Sequence, residues 1–262
     1  MKASDIIRAL EQVAPLRYQD DFDNSGLQVG FADAEVKSIM VCLDITEKVV
    51  EEAVERGCEM MVSHHPLLFH PLRQVSDITY QQRCVTRALA AGITIYSAHT
   101  SLDNAPGGVN HRMASVIGLE NLEWLSPKVG MDAGSGLVGM MKEPMEDFDF
   151  IDLLAERFEV ECLPHTKLCG KTISKVALCG GAGAFLLRDA VRSGADCFIT
   201  GELHYHDYFE NDGLLLAALG HYQSESHTIE LLKEVVLNAC PDARVLKPSF
   251  TTNPVLFSNY IY

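Results

Sequence analysis

Residues 39–65 and 176–202 of this 262-residue chain align without a gap at a constant separation of 137. Cys42 falls on Cys179, Ala53 on Ala190, Val54 on Val191 and Gly57 on Gly194, while Met60-Met61-Val62-Ser63 falls on Cys197-Phe198-Ile199-Thr200. Each copy reads as an apolar strand, an amphipathic helix closed by a turn glycine, and a second apolar strand. Any two βαβ units share that much. Here the polar residues at the strand ends correspond too: His64-His65 falls on Gly201-Glu202, and His99-x-x-x-Asp103 matches His221-x-x-x-Glu225 at a separation of 122. A duplicated βαβ unit dictates an α/β fold of two similar domains with mainly parallel sheets. Ligands of such sheets collect outside the carboxyl ends of the strands, so a site in a cleft shared by the two domains is expected.

The elements around the repeat follow from periodicity. Ser4 is a candidate N-cap for a first helix that Pro15 closes, and Asp23 to Gly30 is a turn leading into a short strand. Ile39 to Leu43 is a strand, Thr46 caps a helix ending at Gly57, and Met60 to Ser63 is the next strand. A helix over about 80–91 and a strand over 93–97 complete β-α-β-α-β. Beyond a turn at 104–108, residues 111–118 read as helix and Pro127 as a boundary. A strand over 137–141, a helix over about 150–158 and a strand over 160–163 then precede the second copy. The expected domains are 1–125 with 226–262, and 126–225.

Composition narrows the function. The net charge of −15 argues against a nucleic-acid surface, which needs a basic patch, and suits a protein that binds cations. No apolar run approaches the roughly 18 residues of a membrane span, and Met1-Lys2-Ala3-Ser4-Asp5 lacks a signal-peptide apolar region. The eight cysteines form no Cys-x-x-Cys pair, and several lie inside apolar strands. They read as reduced core residues of a cytoplasmic protein.

The strand ends gather His64, His65, His99, Asp103, Glu202, His204, His206, His221 and Glu225. Neighbouring side chains on a strand point to opposite faces, so His64 and His65 serve one site only because the strand has ended. Pro66 keeps His65 extended there. Imidazoles with carboxylates suit Zn, Fe, Mn or Ni, and this many donors exceed one tetrahedral ion and fit two bridged ions. His204 and His206 alternate along the chain and read as surface or hydrogen-bonding residues. His99 reads as a ligand's support or a cleft residue. Gly180-Gly181-Ala182-Gly183 precedes a helix and either cradles a phosphate or makes a tight turn, the commoner case.

Ser63-His64-His65-Pro66, Ala98 to Asp103, Thr200-Gly201-Glu202 and Gly220 to Glu225 resemble the motifs of the Nif-three-like proteins, also called the GTP cyclohydrolase I type 2 family. Asp23-Asn24-Ser25-Gly26-Leu27 and Asn253-Pro254-Val255 fit as well, and the resemblance runs over essentially the whole chain. It implies two interlinked α/β domains and a dinuclear divalent-metal site held by His64, His65, Asp103, His221 and Glu225. It further implies a homohexamer, a trimer of dimers, with the metal sites facing an internal cavity. The family name implies GTP ring opening; the excess of ligands points to metal-dependent hydrolysis of a nucleotide or other small molecule, with His99 or His206 moving protons. A non-enzymatic role in metal binding or delivery is the alternative.

Overall fold

The computed structural model describes residues 1–258. Its strands, in chain order, are β1 (Gly26–Val29), β2 (Ser38–Cys42), β3 (Met60–Ser63), β4 (Thr94–Ser97), β5 (Leu119–Pro127), β6 (Gly134–Glu146), β7 (Thr172–Cys179), β8 (Cys197–Thr200), β9 (Leu215–Ala218) and β10 (Arg244–Leu246). The helices are α1 (Ala3–Val13), α2 (Glu47–Glu55), α3 (Tyr80–Ala90), α4 (Thr100–Asp103), α5 (Val109–Ile117), α6 (Asp147–Arg157), α7 (Leu187–Ser193), α8 (His221–Glu225) and α9 (Thr228–Ala239). The chain forms two compact units: 1–105 with 228–252, and 106–227 with the described residues after 252.

The first unit carries a sheet ordered β1-β4-β3-β2-β10, parallel except for β1. Its central strands are buried on both faces, which is why Ile39 to Cys42 and Met60 to Val62 read as unbroken apolar runs. One face packs Met40, Cys42, Met61 and Ile95 against Val49, Val50 and Ala53 of α2 and Cys84, Val85 and Ala88 of α3. On the other, α9 lies on β2 and β3, and α1 lies on α9. Thr46 caps α2 as expected, its hydroxyl accepting from Val49 N–H at 3.3 Å. The first helix begins earlier than expected. Lys2, not Ser4, is its N-cap, and the Asp5 carboxylate accepts from Lys2 N–H at 3.0 Å.

The second unit carries a sheet ordered β5-β6-β7-β8-β9, antiparallel from β5 to β7 and parallel from β7 to β9. One face packs Leu178, Cys197, Ile199 and Ala217 against Met113 and Ala114 of α5 and Phe150, Ile151 and Leu154 of α6. The opposite face packs Ala177, Phe198 and Leu216 against Leu187 and Ala190 of α7. Three expectations need correcting. Residues 160–163 form no strand; that stretch is irregular. The boundary expected near 125 lies near 105, because β5 pairs along β6 from Leu119↔Met141 to Pro127↔Gly134 and so draws its segment into the second sheet. The chain's end, expected with the first domain, groups with the second from Asn253 on. Residues 259–262 of that expectation lie outside the described residues.

The repeat is real at the level of register. β2 pairs with β3 from Ile39↔Met60 to Cys42↔Ser63, and β7 with β8 from Val176↔Cys197 to Cys179↔Thr200, each partner displaced by 137. The third strands correspond as well, Met60↔Thr94 against Cys197↔Leu215. The connection differs: α3 crosses over in the first unit, whereas a short 3-10 turn, Tyr205–Phe209, does so in the second.

Candidate metal-binding residues

In the first unit the backbone ladder continues past β3. His64 N–H donates to Cys42 O at 3.2 Å and His65 N–H to Leu43 O at 2.9 Å, which holds both histidines at the carboxyl edge of the sheet. Their rings lie 4.9 Å apart at 46°. His64 is fully buried, and its Nδ1 faces Ala98 O at 3.0 Å. His65 Nδ1 faces Asp44 Oδ1 at 2.7 Å. His99, the N-cap of α4, directs Nδ1 at Asp23 Oδ1 at 2.7 Å, and its ring stands 5.4 Å from that of His64 and 5.6 Å from that of His65. One helical turn on, Asp103 Oδ1 lies 3.6 Å from His64 Nε2. Among these, His64, His65 and His99 offer ligand atoms all within 4.8 Å of one another.

In the second unit, β9 gives way to Leu219 and Gly220, whose φ of +93° turns the chain into α8. α8 spans one turn with His221 at its start and Glu225 at its end, so the pair shares a face. His221 Nε2 lies 3.1 Å from Glu225 Oε2, and His221 Nδ1 lies 2.8 Å from Glu202 Oε1. Glu225 is buried; a buried carboxylate is costly unless a cation or donors compensate it. Glu202 stands at the end of β8. His204 and His206 stay exposed on the turn after β8, where the His206 ring meets Tyr205 at 5.4 Å and Phe209 at 6.3 Å. Neither joins the groups that can hold a metal ion among the described residues.

The common feature is the second nitrogen. In His64, His65, His99 and His221 alike, Nδ1 is engaged by a carbonyl or carboxylate. An acceptor at Nδ1 keeps the proton there and presents Nε2 as the lone-pair nitrogen, the arrangement that metal-ligating histidines almost always show. Two or three such imidazoles with a carboxylate make a donor set suited to Zn, Fe, Mn or Ni. The residues therefore fit a divalent metal.

The supporting carboxylates were only partly visible in sequence. Asp23 lies in the Asp-Asn-Ser-Gly turn but far along the chain from His99. Burial works to raise its pKa, yet hydrogen bonds from His99, Thr100 and Ser25 outweigh burial and hold the carboxyl well below its usual range. Asp44 behaves alike: burial opposes the charge, and His65 and Thr252 restore it, for a net lowering. Asp44 was missed, although it follows β2 at the same sheet edge and the strand-end rule that found His64 applies to it. The glycine run is a packing turn. Gly180 N–H donates to Asn110 Oδ1, Gly181 N–H to Ser224 Oγ and Gly183 N–H to Thr200 Oγ1, at 3.0, 3.0 and 2.9 Å.

Comparison with known proteins gives the family. The sequence model of the family Duf34/NIF3 (NGG1p interacting factor 3) matches residues 1–254, and the chain belongs to that family. Among similar curated proteins, the "GTP cyclohydrolase 1 type 2 homolog" of Clostridium acetobutylicum is 32% identical over 89% of this chain and 89% of its own. The protein of that name from Clostridium perfringens is 34% identical over 86% of this chain and 87% of its own. A crystal structure of a Bacillus cereus protein related to NIF3 superposes with a TM-score of 0.88 at 22% identity, covering 98% of this chain and 99% of that one, a likeness of fold. No helix among the described residues is long and apolar enough to cross a membrane.

Proposed function

We propose that this protein is a divalent-metal-dependent hydrolase of a small molecule, of the GTP cyclohydrolase I type 2 kind. The proposed ligands of its two ions are His64, His65, Asp103, His221 and Glu225. The observation that carries this reading is the engagement of Nδ1 in each of the histidines, which prepares Nε2 for ligation. A bound divalent cation supplies Lewis acidity and acidifies water near neutral pH. The chain's own part is to hold the donors and to move a proton. His99 fits the second task, because Asp23 fixes its orientation, as the third member of a catalytic triad does. His206, exposed on its aromatic turn, is the second candidate for that role. The proposed assembly is a homohexamer, with a light-scattering mass near six times 28.9 kDa.

The test is turnover. Metal-loaded protein incubated with GTP, the substrate in the relatives' name, releases formate on this reading, and a Glu225→Gln variant does not. Formate no higher than in that variant retires the cyclohydrolase activity. A second reading, metal storage or delivery without catalysis, is favoured by one observation: the glycine run spends its N–H groups on Asn110, Ser224 and Thr200 rather than offering them to a phosphate. Bound metal with no turnover of nucleotides supports it.

A further inference from the structure

The glycine run and the glycine after β8 have no role in the proposed chemistry so far, yet both lie against α8. A Cβ built at Gly181 would overlap Glu225 Oε1 and come within 3.4 Å of His221 Nε2. At Gly201 it would lie 2.6 Å from Gly181 O, 2.7 Å from Ser224 Oγ and 3.0 Å from His221 Cα. Ser224, 2% exposed, ties the three pieces together: its hydroxyl donates to His221 O at 2.8 Å and accepts from Gly181 N–H at 3.0 Å. The end of β8 thus meets the backbone of α8 at His221 and the end of β7 meets the side chains of His221, Ser224 and Glu225, and glycine is the residue that permits such an approach.

We infer that Gly181, with Gly201 and Ser224, is a positioning element for the proposed metal ligands His221 and Glu225, setting where the Glu225 carboxylate stands. The inference rests on the metal-binding reading above. Gly181 has φ +60°, so a side chain there brings backbone strain as well as the overlap, and the two effects must be separated. Nature supplies the controls. Gly194 has φ +70° with nothing within 4 Å, so Gly194→Ala carries the strain without the overlap. Gly180 precedes Gly181, and a Cβ there would make ordinary contacts at 3.5 Å with Glu225 Cγ and Val109 Cγ1. The atom that Gly181→Ala displaces is the far end of a side chain, so the carboxylate yields while the backbone stays.

The experiment measures Zn²⁺ or Mn²⁺ affinity by calorimetry on the full chain, with circular dichroism and melting temperature of the metal-free protein alongside. Gly181→Ala is expected to bind about tenfold to a hundredfold more weakly, the usual loss when support of a ligand is disturbed. Gly180→Ala and Gly194→Ala should bind as the wild type does, and the metal-free melting temperatures of Gly181→Ala and Gly194→Ala should agree. Glu225→Asp withdraws the carboxylate by one methylene, so Gly181→Ala combined with it should lose less than the two single losses combined. Equal affinity of Gly181→Ala and wild type overturns the positioning role, as does an affinity loss of the same size in Gly194→Ala. If Gly181→Ala fails to fold, Ser224→Ala, which removes the tie without adding volume, carries the test, and unchanged affinity there overturns the inference. A wild-type protein that binds neither ion is a different failure and sinks the metal reading itself.

Discussion

The βαβ units of the two halves share a strand register and divide the labour differently. In the first, the end of β3 supplies imidazoles, His64 and His65, and the end of β2 supplies the carboxylate Asp44 that holds His65 Nδ1 at 2.7 Å. In the second, the equivalents of Asp44, His64 and His65 are Gly181, Gly201 and Glu202. There the ends of β7 and β8 give up their side chains to admit α8, and Glu202 holds His221 Nδ1 at 2.8 Å. The first half offers imidazoles from the sheet edge and a carboxylate, Asp103, from α4, whereas the second offers both His221 and Glu225 from a helix seated on its sheet edge. The helices differ by one residue for the same reason. His99 is the N-cap of α4, whereas the added Gly220 makes His221 the first residue of α8. A duplicated scaffold thus keeps its hydrogen-bond ladder while its polar ends specialise.

Ligand removal separates the halves most sharply. His65→Ala or His221→Ala is expected to abolish tight metal binding, a loss above about a hundredfold by calorimetry, whereas Glu202→Gln, which removes only a supporting charge, should cost about tenfold to a hundredfold. Equal losses from Glu202→Gln and His221→Ala would mean that Glu202 is itself a ligand and that both halves offer donors from their sheet edges.

Next in size is the core beneath the site. The register pair Met40↔Met61 corresponds to Ala177↔Phe198, so two medium side chains in one sheet replace one small and one large in the other. All four are fully buried. Phe198→Ala should destabilise by about 3–5 kcal/mol, and Ala177→Met, which overfills the space beside Phe198, by about 1–3 kcal/mol. Combining Ala177→Met with Phe198→Met copies the first unit's pair and should cost less than the single changes added together, as urea denaturation would show. Additive costs would deny that the pairs are volume-equivalent.

Smaller is a pH effect confined to the second unit. Burial lowers the pKa of His111, whose ring packs on Trp124 at 4.9 Å. With the folded value below 6.5, the unfolded chain binds more protons as pH falls through 6.5. The stability His111 contributes is present above that pH and declines below it. His111→Gln should flatten that part of the melting temperature profile; an unchanged slope there would assign the effect elsewhere. Smallest is thiol reactivity. Cys162 and Cys169 of the second unit are exposed and should react first with a thiol reagent, while buried Cys84, with its pKa pushed up to about 11, stays inert until unfolding.

Much of this was legible in the sequence, because the repeat fixes strand pairing and strand ends fix where polar residues gather. The 137-residue separation read in the sequence recurs in the strand pairing, residue by residue. What escaped follows from contacts distant in sequence. β5 was hidden because Glu120, Asn121, Glu123 and Ser126 interrupt its apolar pattern on an exposed edge strand. Asp23 reaches His99 across 76 residues, and no local pattern reports such a pair. The role of Gly181 depends on where α8 sits, which the spacing of glycines does not encode.

On the proposed function, these histidines and carboxylates hold metal. Elemental analysis of the protein purified without added metal, repeated after loading with Zn²⁺ or Mn²⁺ and gel filtration, tests it most directly. Two divalent ions per chain, falling to one or none in His65→Ala and His221→Ala while circular dichroism is unchanged, is the expected outcome. No bound metal in the loaded wild type, or the same content in both variants, would contradict it.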